Sequence, residues 1–270
     1  KLDGIKDNIA NGIKEHYFPL YSNSELPSTI EGQVVSIADK IDTICALFLS
    51  TKDNKKKRPT GSNDPLGARR AAIGILRTII EKNLNLNLDK LIEFSLQILN
   101  QEFSIENDEE VYLDIKDFFI QRLTVMNENK FNFHIINSTI SYNPLINLSD
   151  FINRMETLVK FDKNPDFEKI KENALRITRI VKDYNKNEVL EDLFELQEEK
   201  NLYKAIKNHA CNSSNLDNYI ESLKTLNEPV VAFFDKVLVM DKNEKIKNNR
   251  LSLLNLIKEK YSLICDFEKL

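Results

Sequence analysis

Metal-assisted hydrolysis needs several histidine and carboxylate ligands converging on one cavity, and this chain offers only three histidines, His16, His134 and His209. Asp39 and Asp42 stand at i, i+3 on an expected helix, so their carboxylates share one flank beside its apolar stripe and can face His16 across an inter-helix groove. The same arrangement serves a polar cluster that ties two helices together, with Arg69 or Arg70 as counter-charge. No adjacent His-Asp pair occurs in the chain, which favours that structural role. His134 and His209 lack neighbours at ligand spacing and are expected at the surface or at a boundary. Cys45, Cys211 and Cys265 are far apart, odd in number and without C-x-x-C spacing. They read as small buried hydrophobes in a reducing compartment, not as a disulfide framework or a zinc site.

Phosphate recognition is the second chemistry the side chains suggest. Lys55-Lys56-Lys57-Arg58 is the densest basic run and lies in a loop leading to Pro59. Neutralising phosphates there would make nucleic-acid binding depend on salt, although a solvated loop accounts for four such residues equally well. A helix expected near 166–184 is more informative. Its apolar stripe of Phe167, Ile170, Ala174, Ile177 and Val181 leaves Lys169, Arg176, Arg179 and Lys182 on the solvent side. Only nine of the 38 basic residues are arginines, so two of them one turn apart stand out. A guanidinium forks to phosphate or stacks on an exposed base, and the competing reading is a plain solvated face. Arg250 shares a face with Ile246, Leu253 and Ile257, so it points to the apolar side and is expected to anchor a buried or half-buried ion pair.

Glycine placement excludes other chemistries. The six glycines are Gly4, Gly12, Gly32, Gly61, Gly67 and Gly74, and none follows. Phosphate-cradling loops and nucleophile elbows need glycine for close backbone approach or positive φ, so everything beyond Gly74 lacks them. Neither G-x-x-x-x-G-K-[ST] nor G-x-G-x-x-G occurs. With 38 basic and 42 acidic residues the net charge is −4, and any RNA contact must rest on a local basic face. No apolar run approaches the roughly 18 residues of a membrane helix and no signal-peptide pattern opens the chain, so a soluble, cytoplasmic protein is expected. Its 270 residues make one large or two ordinary domains, and the initial Lys1 suggests a fragment or a cleaved product.

The elements that must position these residues are helical almost throughout. Val34, Ala38, Ile41, Cys45 and Phe48 give one stripe near 31–49, and Asp64-Pro65 opens a helix carrying Ile73, Leu76 and Ile80. Leu88 to Leu99, Val111 to Phe119 and Val189 to Leu196 continue the pattern, as do Leu216 to Leu223, a start at Asn227-Glu228-Pro229, and a long last helix through Ile264. Asparagine is expected to end helices where glycine usually would. The fold class is all-α, two packed helical bundles: residues 1–126, an Asn-rich connecting segment at 127–147, and residues 148–270.

Three stretches together resemble one family. The first comprises Glu15-His16-Tyr17-Phe18-Pro19, Leu26-Pro27 and Ala38-Asp39-Lys40-Ile41-Asp42-Thr43. The second is Pro59-Thr60-Gly61-Ser62-Asn63-Asp64-Pro65-Leu66 running into Ala68-Arg69-Arg70-Ala71-Ala72. The third is Glu228-Pro229-Val230, Phe233-Phe234-Asp235-Lys236-Val237, Val239-Met240 and Asn249-Arg250-Leu251 with Leu253-Leu254. In order and spacing they resemble the C-terminal part of the β subunit of the bacterial two-subunit glycyl-tRNA synthetase. The resemblance implies an HD-like helical domain first, then a DALR-type anticodon-binding domain. It implies that His16, Asp39 and Asp42, with Arg69 and Arg70, are a remnant of an HD-type site whose His-Asp pair would lie upstream of Lys1. On the expected tRNA-facing helix, Arg176 carries over directly.

The resemblance further implies a tRNA-binding, non-catalytic region with no cofactor and no metal of its own. The α subunit would use ATP and Mg2+ to attach glycine to its tRNA, within a heterotetramer of two α and two β subunits. Candidate tRNA contacts are Arg176, Arg179, Lys169 and Lys182, with Lys55, Lys56, Lys57 and Arg58. Two rival readings stand beside it: a metal-dependent phosphohydrolase centred on His16, Asp39 and Asp42, and a scaffold that docks the α subunit without touching RNA.

Overall fold

A computed structural model describes residues 4–21, 23–59, 64–105, 108–209 and 215–270. The Thr60-Gly61-Ser62-Asn63 stretch and Cys211 lie outside them. The described residues form twelve α-helices and short 3-10 turns, with no strand, so the fold is all-α. The chain divides into two compact units, Lys1–Lys130 with Asn143–Ile152, and Phe131–Tyr142 with Asn153–Leu270.

In the first unit α2 (Ile30–Ser50) is central, packing against α1 (Asp7–Glu15), α3 (Ala68–Glu81), α4 (Leu88–Phe103) and α5 (Glu109–Asn127). Its second half buries Ile41, Ile44, Cys45, Leu47 and Phe48, as an apolar stripe requires. Its first half departs from the expected stripe: Val34 is 61% exposed and Ala38 is exposed, while Gly32, Gln33, Ser36 and Lys40 are buried. The cause is the close approach of α1. A Cβ on Gly32 would stand 2.5 Å from Glu15 Oε2, so only glycine fits. Glu15 accepts hydrogen bonds from the Ser28 and Thr29 amides at 2.9 and 3.0 Å and from their hydroxyls at 2.5 and 2.9 Å. Reciprocally, the Lys40 ammonium donates to the His16 carbonyl at 3.1 Å and to Ser36 Oγ at 2.8 Å. A carboxylate thus meets the start of α2 and a cation the end of α1, each matching the helix dipole. Burial lowers the Lys40 pKa.

Asparagine, expected to end helices, more often opens them among the described residues. Asn87, Asn132, Asn164, Asn215 and Asn243 each accept an amide hydrogen bond as N-caps. Asn83, just past α3, and Asn143 adopt left-handed φ of 50° and 45°. The Asp64-Pro65 start resolves differently from a simple cap. A 3-10 turn, Pro65–Gly67, comes first, Gly67 is the N-cap at φ 68°, and Asp64 Oδ1 accepts the Arg69 amide at 2.7 Å.

In the second unit α8 (Pro165–Ile180) and α12 (Glu244–Ser262) pack together, with α11 (Asn227–Lys236) on α8 and α9 (Gln197–Asn208) against α11 and α12. Residues 127–147, read as a connecting segment, contain α6 (Phe133–Ile140), which buries Ile135 and Ile136. The division between units falls inside α7 (Leu148–Phe161). The Val189-to-Leu196 helix does not form; only a 3-10 turn, Glu191–Leu193, interrupts irregular backbone. There the Asn249 amide competes with helical pairing: it accepts the Leu190 N–H at 2.7 Å and donates to the Leu190 carbonyl at 3.0 Å. α10 (Leu216–Leu223) buries Tyr219, Ile220 and Leu223.

Arg250 ties these elements. It is 3% exposed, and its guanidinium meets Glu199 of α9, Glu195 and Asp241, each at 2.9 Å, and donates to the Leu238 carbonyl at 3.0 Å. Glu199, itself fully buried, also accepts the Glu195 and Leu196 amides that open α9. Two buried opposite charges stand or fall together, because removing one strands the other. Glu199→Ala is therefore expected to cost about 3–5 kcal/mol. Glu195→Ala, at a 55% exposed partner, is expected to cost under about 1 kcal/mol. Urea unfolding followed by circular dichroism measures both.

In the first unit, burial raises the pKa of Asp89, but hydrogen bonds from Lys116, Tyr112 and Asn143 outweigh it and leave the carboxyl below its ordinary value. At Asp114 burial likewise pushes upward, and Arg58 and Lys55 overcome it to leave the carboxyl lowered. A depressed folded pKa adds stability above the unfolded value of about 4, and that stability disappears as pH falls through the folded value. Asp89→Asn is expected to lower stability at neutral pH and to flatten its decline below about pH 4, as acid titrations of the two proteins would show.

Candidate nucleic-acid interface

Helix α8 begins at Asn164, whose side chain accepts the Asp166 amide, with Pro165 in the first turn. Phe167, Ile170, Asn173, Ala174 and Ile177 are buried, which leaves Lys169, Arg176 and Arg179 exposed on the opposite side; Lys182 is exposed just beyond the helix end. Lys169 is 3.7 Å from Asp166 and so is partly matched. Arg176 and Arg179 carry no ion pair among the described residues. Arg176 instead lies over the ring of Phe234 on α11, 3.8 Å from the centroid. Phe234 stands edge-on to the buried Phe233, centroids 5.7 Å apart.

This stacking does three things. It holds a flexible side chain flat at a cost in solvation that a guanidinium tolerates better than an ammonium. It leaves the N–H groups at the rim of the plane available to an acceptor such as phosphate or a base edge. It also removes rotamer freedom before any ligand arrives. Beside it Glu172, Leu175, Arg176, Arg179 and Ile180 line a shallow hollow of about 420 Å³, large enough for one planar group. Val231, Leu238 and Met240, on and just after α11, are also exposed. The Phe233-Phe234 pair was the available signal for this stack: on an amphipathic helix only one of two adjacent rings can enter the core.

The other basic run is divided. Lys55–Lys57 form a 3-10 turn, and Lys55 pairs with Glu110 at 2.5 Å and Asp114 at 3.0 Å. Arg58 is 8% exposed, pairs with Asp114 and sits 5.2 Å from the centroid of the Phe48 ring. Half of the run thus faces α5, because two acidic side chains one helical turn apart there draw it in; Lys56 and Lys57 remain exposed.

The structure does not gather the histidine and carboxylates of the opening segment. His16 Nδ1 lies 2.5 Å from the Ile13 carbonyl, whereas Asp39 and Asp42 are exposed. The residue that α2 extends to His16 is Lys40, a cation whose buried position sequence spacing did not reveal. No group of three or more His, Cys, Asp or Glu side chains suited to a metal ion occurs among the described residues. Arg69 and Arg70 flank Asp64, their Nε atoms 3.8 and 3.9 Å from its carboxylate. His134 is exposed, as expected, but His209 is 8% exposed, its Nε2 2.8 Å from Ser222 Oγ and its ring against Tyr219. Burial and the charge of Lys260 lower its pKa. Cys45 and Cys265 are buried thiols pushed up to about 12.

No described helix is long and apolar enough to cross a membrane. The family model described as glycyl-tRNA synthetase beta subunit matches residues 1–141. Over its full length the chain is 36% identical to the glycine–tRNA ligase beta subunit of Geotalea uraniireducens, of which it covers 39%. It is 35% identical, over 95% of its length, to that of Halothermothrix orenii, covering 37%, and 32% identical to that of Trichlorobacter lovleyi, covering 39%. The chain thus spans about two fifths of the length of these relatives. With its sequence matched from end to end in relatives of one kind, and more than half of it by the family's model, the chain belongs to the glycyl-tRNA synthetase β subunit family.

Proposed function

We propose that this chain is a tRNA-binding, non-catalytic region of a glycine–tRNA ligase, and that α8 is its RNA-facing element. The observation that carries the reading is the Arg176 guanidinium stacked at 3.8 Å on Phe234, with Arg179 one turn away and both exposed. A stacked cation beside an apolar hollow suits an unpaired base together with its phosphate, the chemistry by which single-stranded RNA loops are read. The names of the relatives support glycine tRNA as the RNA and a ligase as the assembly. In this reading the α subunit performs the ATP- and Mg2+-dependent chemistry, two α and two β subunits assemble in the cytoplasm, and the second unit is an anticodon-binding bundle of DALR type following an HD-like first unit. The absence of glycine from α8 onwards agrees with a role in holding RNA rather than cradling a nucleotide.

Binding of tRNA with glycine anticodons to the 270-residue chain is expected to weaken steeply with salt. In Arg176→Gln/Arg179→Gln the slope of log affinity against log salt is expected to shrink by about 0.7–0.9 for each phosphate that goes unneutralised. An unchanged affinity and slope would remove α8 from the interface. Phe234→Leu keeps the charges but removes the platform; it is expected to weaken binding with the salt slope retained, which separates stacking from charge.

A further inference from the structure

A second group of arginines converges in the first unit. Asp64, Arg69, Arg70 and Ile73, at and before the first turns of α3, face Ile120, Arg122 and Val125 of α5 across a groove of about 920 Å³. Among the described residues that line it, three guanidinium groups stand with one carboxylate, Asp64. Asp64 lies beyond hydrogen-bond length from the Nε atoms of Arg69 and Arg70, and its Oδ1 is engaged by the Arg69 amide. Arg122 has no carboxylate within ion-pair distance among the described residues. Its guanidinium lies 4.2 Å from the centroid of Phe118 and donates to Gln121 Oε1 at 2.9 Å, which fixes its plane without neutralising it. Burial first, and the charge of Arg69 second, lower its pKa against the opposing charge of Asp64, so two like charges face each other across the groove with one carboxylate between them.

Like charges gathered at a partly exposed rim repel one another, and an anion placed between the cations relieves that repulsion. The apolar wall of Ile73, Ile120 and Val125 adds room for a body that is not itself charged. Gly67, at φ 68°, has no Cβ where one would stand 2.8 Å from an Arg70 terminal nitrogen, so the backbone leaves Arg70 its place at the rim. We infer that this α3–α5 groove binds the phosphate group of a ribonucleotide, held by Arg70 and Arg122 with Arg69 and with its nucleoside against the apolar wall. This site is independent of the α8 reading and involves none of its residues. The phosphate can come from a free nucleotide or from an RNA strand, and the probes below separate the two.

The test uses the 270-residue chain in calorimetric or fluorescence titrations with inorganic pyrophosphate, 5′-AMP, and a short single-stranded oligoribonucleotide with and without a 5′-phosphate. Binding of pyrophosphate and AMP assigns the groove to free nucleotides. Preference for the 5′-phosphorylated oligonucleotide assigns it to an RNA end, and equal binding of both oligonucleotides with no AMP binding assigns it to the RNA backbone. In each case Arg122→Gln and Arg70→Gln are expected to weaken binding by about tenfold or more, and Lys200→Gln, at an exposed cation of the second unit, to leave it unchanged. Arg122→Lys, which keeps the charge but not the planar fork, controls for folding and is expected to bind more weakly than the parent. On the unmodified chain, the tightest-binding probe is expected to protect Arg70 and Arg122 from phenylglyoxal. No binding of any phosphate probe, or binding that survives Arg122→Gln with no protection of these arginines, overturns the assignment.

Discussion

A single buried cation organises the unit that carries the candidate interface. Arg250, on α12, cannot be left unpaired in an apolar interior, so Glu199 of α9, Glu195 just before it and the turn at 238–241 must all bring oxygen to it. That requirement fixes the chain immediately after α11, the helix that supplies Phe234. Because α8 packs on both α11 and α12, the same constraint sets where Arg176 meets its ring. The surface stack thus sits on helices whose connections the buried ion cluster holds together.

The first unit uses charge in a comparable way at helix ends. Glu15 stands at the start of α2 and Lys40 at the end of α1, and glycine at position 32 lets the helices approach closely enough for both contacts. Histidine and carboxylates in this region thereby become parts of a helix junction or exposed side chains. The cations near α5 divide by the acids available to them: Arg58 and Lys55 are matched by Asp114 and Glu110, while Arg122, farther along the same helix, has Gln121 and the Phe118 ring instead. An unmatched arginine held by neutral groups is poised for an external anion.

Much of this was legible in the sequence, and the misses share a cause. Stripes such as Phe167 to Val181 and Leu253 to Ile264 mark the helices of the second unit, and spacing alone places Arg250 on the apolar side. Asparagine as a helix terminator holds at Asn83, just past α3, but its commoner place proves to be the N-cap, and Ser104 closes α4. What fails is the assumption that buried means apolar. Lys40, Arg58 and Glu199 are buried because their polar ends find partners far away in sequence, and Val34 and Ala38 cede their expected places to Gly32, Ser36 and Lys40. The Val189–Leu196 pattern looks helical until Asn249, some sixty residues on, claims the backbone of Leu190. The platform under Arg176 is hidden for the same reason, since no local rule links position 176 with position 234.

Whether RNA meets the face formed by α8 and α11 is decided by ultraviolet crosslinking of the 270-residue chain to glycine-isoacceptor tRNA, with the crosslinked peptides identified by mass spectrometry. Crosslinks are expected to concentrate on the peptides bearing Arg176, Arg179 and Phe234 and to fade as salt is raised. Crosslinks that avoid this face altogether, under conditions where the tRNA is bound, would refute it.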